Sequence, residues 1–415
     1  VIFGAATLVA IARWGHGCFG ATVTRAWLLL CTVSYPLILY SSEARGYAVM
    51  ICCAAAGFLL LSSVVSATFS EDTRASSAIG FAAISSIGVL SHATFTLFFA
   101  PALLWLVYLY ALRLQTAPRQ ASILWAWLRL AVGPVVALGA LLTVAFYGQL
   151  EIGGAPVAPY IQIFFSTISA AFGGDEISAA TPGLSLILSF ASLCVLIALL
   201  AETVLWIREG DPIAVLVALL LAAPVVAVVV LQPHFILARY FIFQVVILYL
   251  LAARFLVRLW QQNLIARAVA LMCTALYLTG NSFHTWQLLA HGRSHFQEML
   301  YLLEQCSNGT PTTLGADQLF QVKLRLKYAQ ILNAPGSQLP LELVSDYQGT
   351  QSSAEYVIRE AFEHLETLPE EFTAQNGLRY RAQCNSVQLP FYQGALMSAA
   401  SLRLYRSERS AGTRY

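Results

Sequence analysis

Charge is scarce in this chain of 415 residues: Asp, Glu, Lys and Arg together make up 11% of it, where a soluble domain carries about 25%. Lysine is almost missing. Residues 1–281 contain none, and the only two are Lys323 and Lys327. So little charge over a 58% hydrophobic sequence excludes an ordinary water-soluble globule. A formal net charge of +2 gives no reason to expect nucleic acid as a partner. There is no Walker loop, no paired CxxC and no HExxH, so the motif-borne phosphate cradles and zinc sites are missing as well. What remains is long apolar runs, with a mean hydropathy of +0.70. From about residue 282 the text becomes that of a soluble protein. We therefore expect two domains, a polytopic membrane domain over 1–281 and a water-exposed domain over 282–415.

A membrane-crossing helix needs about 20 mostly apolar residues. Such runs fall near 1–12, 26–41, 47–69, 78–91, 96–112, 125–147, 183–206, 213–232, 240–257 and 266–281, which predicts about ten spans in an all-α polytopic bundle. The runs lack the alternation of barrel strands, so helices are the expected solution. The chain opens inside an apolar run, "VIFGAATLVAIAR", without the charged n-region or cleavage site of a signal peptide. We read it as a truncated span, which implies a missing N-terminal part.

Arginine in short loops orients the spans. Arg13 and Arg25, then Arg113, Arg119 and Arg129, then Arg254, Arg258 and Arg267 all fall on one face when the spans alternate. That face should be cytoplasmic. The opposite face receives "SSEARGY", "SHATF", the loop 148–182, "QPHFILAR" and the tail, giving an integral protein of the plasma (bacterial inner) membrane with an extracytoplasmic C-terminal domain. Loop 148–182 carries Glu151, Asp175 and Glu176, and its apolar residues Ile161, Phe164, Phe165, Ile168 and Phe172 recur at helical spacing. That pattern suits a helix in the interface plane or one packed on the bundle.

The tail mixes helix-like text ("RSHFQEMLYLLEQC", "SAEYVIREAFEHLETL") with strand-like runs ("PTTLGAD", "LELVSD", "SLRLYR"), which predicts a small α/β domain. Its two cysteines, Cys306 and Cys384, are candidates for a disulfide on an oxidising face. The sequon at Asn308 matters only in a glycosylating compartment.

The stretch "YPLILYSSEARGYAVMICC" places a carboxylate and a guanidinium between two lipid-suited runs. Glu43 and Arg45 could simply snorkel into the headgroups, with Tyr40 and Tyr47 as belt aromatics. Three further features on the same face favour a ligand site: His92, His234, and the pair Arg239 and Tyr240. Two arginines, two histidines and a carboxylate at span ends suit an anionic ligand, because the guanidinium fork matches phosphate oxygens. The carboxylate could orient an acceptor hydroxyl, take its proton, or help hold a divalent metal.

The block "YSSEARGYAV" resembles the Y-S-x-E-A-R-x-Y-A block of bacterial GT-C fold glycosyltransferases, the Rgt-type relatives of protein O-mannosyltransferases and lipid A aminoarabinose transferase. "LSHATFTLFFAPALLWL" and "PHFILARYFIFQVVILYLLAARFL" resemble two later blocks of the same proteins, in the same order. The resemblance covers about residues 1–281. It implies transfer of a sugar, with inversion, from a polyprenyl-phosphate-linked donor to a glycan, lipid or protein acceptor in the cell envelope. It also implies a catalytic role for Glu43 and substrate binding by Arg45, Tyr47, His92, His234, Arg239 and Tyr240. No organic cofactor is implied. In the family a further acidic base stands in an earlier outer loop, so this stretch alone is expected to be inactive. Three other readings stand beside this one. A multipass transporter would show broken midplane helices and inverted repeats, an O-antigen polymerase or ligase also uses polyprenyl-linked sugars, and a scaffold would need no site.

Overall fold

The computed structural model describes residues 2–42, 46–65, 71–146, 160–174, 182–231, 238–291, 296–317, 319–331, 339–344, 354–361, 368–382 and 401–408. These form two compact units, Val1–Thr285 and Trp286–Tyr415. The described elements of the first are all helical. Its helices are α1 (Ile2–Phe19), α2 (Ala21–Val33), α3 (Tyr35–Ser42), α4 (Tyr47–Val65), α5 (Glu71–Ser91) and α6 (Thr96–Thr116). They continue as α7 (Pro118–Phe146), α8 (Tyr160–Ala171), α9 (Pro182–Arg208), α10 (Pro212–Leu231), α11 (Ile242–Trp260) and α12 (Leu264–His291). Proline opens α7, α9 and α10, where its missing N–H is one of the donors that the first turn cannot use.

Among the described residues, six helices are long and apolar enough to cross a membrane, and a seventh span arises if the bent pair Ala21–Val33 and Tyr35–Ser42 is one crossing. The sequence suggested about ten. The apolar stretches Ile2–Arg13, Tyr47–Ser62 and Ala75–Ser91, parts of α1, α4 and α5, correspond to three more of the expected runs. The chain is thus a helical integral membrane protein. Its surface agrees with that: Val144, Leu186, Phe190 and Val230 stand 85%, 73%, 67% and 70% exposed, a display that lipid tolerates and water does not. Inside the bundle α11 is the hub, with Ile242 through Ala253 all buried. Four buried tryptophans each spend their indole N–H within the fold: Trp27 on the Val246 carbonyl, Trp105 on that of Pro212, Trp127 on Ser77 and Trp206 on Asp211.

The run 26–41, expected as one span, is two helices meeting at 59°. Pro36 is the local cause, since it cannot donate to the carbonyl four residues back and its ring clashes there. A broken helix in lipid survives only where its freed backbone groups are satisfied by protein. Here they are. Tyr35 N–H donates to Asn281 Oδ1 at 2.8 Å, and Leu37 N–H donates to Ser34 Oγ at 3.2 Å. The Tyr277 hydroxyl donates to the Leu30 carbonyl. Tyr249 joins the group, with its hydroxyl 2.8 Å from Ser34 Oγ and donating to the Ala171 carbonyl at 2.7 Å. That last bond ties the end of α8 into the break. Beside it the backbones of Gly173 and Gly280 touch, so that a Cβ on Gly280 would lie 2.2 Å from the Gly173 carbonyl oxygen.

The second unit holds α13 (Phe296–Ser307), β1 (Thr312–Ala316), α14 (Leu319–Ile331), β2 (Leu341–Leu343), β3 (Tyr356–Ala361), β4 (Glu371–Thr373), β5 (Arg379–Ala382) and β6 (Ser401–Ser407). They build a six-stranded sheet in the order β2-β1-β3-β6-β5-β4, parallel across β2-β1-β3 and antiparallel beyond. The small α/β domain is present, with one correction. Residues 356–361, within a stretch read as helix, are the central strand β3. Tyr356 and Ile358 pack on one face with Leu314, Leu402 and Leu404, while Val357 packs on the other with Tyr380 and Tyr405. A strand buried on both faces loses the alternation that marks strands in sequence. Cys306 ends α13 against the first of these cores, and its carbonyl accepts the Tyr356 hydroxyl at 2.9 Å. Cys384, its expected partner, lies outside the described residues.

Candidate functional site

The three sequence blocks meet at one end of the bundle. Tyr40, on the last turn of α3, and Tyr47, opening α4, are both buried and their rings lie 5.2 Å apart. Tyr47 in turn lies 4.3 Å from the His92 ring at an interplanar angle of 34°, and His92 lies 6.3 Å from Tyr240. The Arg239 guanidinium stands 5.9 Å over the Tyr240 ring. Backbone chemistry makes this approach feasible. A Cβ on Gly46 would sit 1.9 Å from the Ser91 carbonyl oxygen, so any other residue would push α4 away from the end of α5 and part Tyr47 from His92.

Glu43, Arg45 and His234 lie outside the described residues. Of the anticipated residues, Tyr47, His92, Arg239 and Tyr240 are therefore the ones brought together. Helix α8 packs beside them. Ile163 and Phe241 are buried against each other with Leu97, Val228 and Tyr240 around them, and the Phe164 ring lies tilted 6.5 Å from that of Phe241. Among the described residues, no three His, Cys, Asp or Glu side chains lie close enough to hold a metal ion. Those residues do not make a divalent-metal site.

His92 has a definite polarity. It caps the 3₁₀ turn Ala93–Phe95, and its Nδ1 accepts the Thr94 N–H at 3.2 Å with Thr94 Oγ1 2.8 Å away. A backbone N–H can only donate, so Nδ1 must offer a lone pair and the ring proton sits on Nε2. The side chain is a fixed hydrogen-bond donor at its far nitrogen rather than a base there. This separates two variants. His92→Asn keeps an acceptor for the cap but loses the far donor, whereas His92→Gln keeps a donor at the far position and loses the cap. If the far N–H serves the ligand, His92→Gln retains more of the protein's activity and His92→Asn more of its thermal stability. The reverse pattern would assign His92 to the cap alone.

A second polar cluster, which sequence reading took only as loop charge, lies 14 to 18 residues further along α11, or about 20–27 Å at 1.5 Å per residue. Arg254 and Arg258 reach back to Glu202 on α9, which is only 1% exposed, and to Glu209 just past it. The closest pairings are Arg258 with Glu209 at 2.8 Å and Arg254 with Glu209 at 2.9 Å, and Arg258 meets Glu202 at 3.0 Å. Arg254 also lies 4.0 Å over the Trp206 ring. The Arg258 hydrogen bond is the main reason that the Glu209 carboxyl is held below its ordinary range. Glu202, six residues before the end of α9, is the available signal, because an ionisable residue inside a span needs a named partner. An apolar groove nearby, between α2, α11 and α12, is lined by Ala26, Leu256, Trp260 and Leu271 and carries no titratable group.

No family model matches the chain, and comparisons with curated proteins and with solved structures gave no match either.

Proposed function

We propose that this chain is the membrane domain, with an appended α/β domain, of a GT-C type glycosyltransferase. It would move a sugar from a polyprenyl-phosphate donor to a glycan, lipid or protein acceptor of the cell envelope. The observation that carries this reading is the run of ring contacts from Tyr47 through His92 to Tyr240 beside Arg239. It joins at one end of the bundle the three sequence blocks on which the family resemblance rests. The arginine-flanked loops make that end the extracytoplasmic one.

The chemistry follows from residue types. Arg239 and Arg45 supply charge-assisted donors to the donor phosphate, whose negative charge grows as the sugar leaves. His92 adds a neutral N–H donor. The isoprenoid tail stays in lipid between helices, and Glu43 orients or deprotonates the acceptor hydroxyl for direct displacement, which inverts the anomeric centre. The break between α2 and α3 is a feature that a transporter would share, so the test must separate the two. Native membranes containing the full-length protein should transfer labelled sugar from an undecaprenyl-phosphate donor to envelope material. Arg45→Ala should cut donor use roughly tenfold to a hundredfold, the worth of one charge-assisted contact. Arg45→Lys should recover only part of it, because a point charge lacks the fork. Solute uptake or export without transfer from any polyprenyl-linked sugar would select the transporter instead.

A further inference from the structure

Gln244 lies on the first turn of α11, four residues beyond Tyr240, and is 4% exposed. Among the described residues, neither its Nε2 nor its Oε1 has a hydrogen-bond partner. A buried amide left entirely unsatisfied is costly, and native structures keep such groups for a reason. The cost is sharper here, because α11 is buried on every side from Ile242 to Ala253 and packs against α2, α4, α8, α9 and α10. Four residues of rise put Gln244 about 6–8 Å deeper along the axis than Tyr240, whose ring joins the aromatic cluster.

We infer that Gln244 is the inner anchor of the ligand site, taking an uncharged, hydroxyl-bearing group. An amide offers one acceptor and two donors, the complement of neighbouring hydroxyls. It cannot compensate the desolvation of an anion, which belongs instead with the arginine near the bundle end. Resting on the glycosyltransferase reading, the assignment gives the donor lipid two contacts at two depths: phosphate at Arg239, sugar hydroxyls at Gln244. The amide is then unsatisfied without ligand and satisfied with it. Such a site holds stability in reserve for binding.

The experiment compares undecaprenyl phosphate with a set of undecaprenyl-phosphate hexoses and pentoses, using thermal unfolding of the full-length protein in nanodiscs to obtain affinities. The wild type should bind its best sugar-bearing lipid at least about tenfold tighter than the bare phosphate, the yield of one or two satisfied hydrogen bonds. Gln244→Met should abolish most of that preference, leave bare-phosphate affinity unchanged, and unfold without ligand at an equal or higher temperature. A Met variant that keeps the sugar preference overturns the assignment, as it would if a single trapped water satisfied the amide. A Met variant that unfolds at a lower temperature without ligand also overturns it, by showing the amide satisfied within the fold. A wild type indifferent to every one of these lipids instead removes the donor reading, and the sugar assignment goes with it.

Discussion

Glu43→Gln in the full-length protein is expected to slow sugar transfer by about a hundredfold or more, the lower bound for losing a positioned general base. The substitution is nearly isosteric and keeps a polar group, so it removes the proton acceptor and the charge without adding a void. The fold should be retained, since ring and backbone contacts made by other residues join these blocks. Tyr40 meets Tyr47 by ring packing, Tyr47 meets His92, and Gly46 meets the Ser91 carbonyl through backbone alone. Labelled transfer in membranes gives the rate, and the unfolding midpoint of the purified variant gives the control. The effect should fall on turnover rather than on donor affinity, which distinguishes Glu43 from Arg45. A variant that transfers at the normal rate would remove Glu43 from the mechanism and leave it a headgroup-layer charge.

Glu202→Leu is expected to destabilise the bundle by about 3 kcal/mol, the lower end for removing one partner of a buried ion pair. The lower end applies because Arg254 and Arg258 remain 17% and 34% exposed and Glu209 stays to receive them. Removing Arg258 as well, as Glu202→Leu with Arg258→Met, should recover much of the loss, since an apolar replacement of the whole pair strands no charge. Glu209→Ala should cost no more than about 1 kcal/mol, because its side chain is 46% exposed and the pair is screened. The sign with pH follows from the lowered Glu209 carboxyl. Its contribution is complete above the ordinary glutamate pKa, about 4.3, and disappears only as pH falls through the lower folded value. Unfolding in graded denaturing detergent at neutral pH, and again at acid pH, measures all of these. Equal stability of Glu202→Leu and the wild type would show the clasp between α9 and α11 to be inert.

Much of this protein is written locally. Apolar runs and the near absence of lysine identify a membrane bundle, because transfer into lipid is a property of each segment on its own. Strands β1, β2 and β6 announce themselves by short β-rich runs, whereas the break between α2 and α3 hides inside the run 26–41, which hydropathy reads as one span despite Pro36. The blocks around Tyr47, His92 and Tyr240 could also be picked out, since polar and aromatic residues at span ends are conspicuous in apolar text. What tertiary structure alone decided is partnership. Residues 356–361 look helical until β1 and β6 pair with their two edges. Arg254 and Arg258 look like loop charge until α9 brings a carboxylate to them from 52 and 56 residues away. Ser34 finds the Tyr249 hydroxyl across 215 residues, and Tyr35 finds Asn281 across 246. Gln244 is unremarkable as a letter and informative only once packing has left its amide without a partner. Hydropathy adds up along the chain, so sequence reports it. Satisfaction of a buried polar group depends on which distant segment arrives, and only the packed helices and strands supply that.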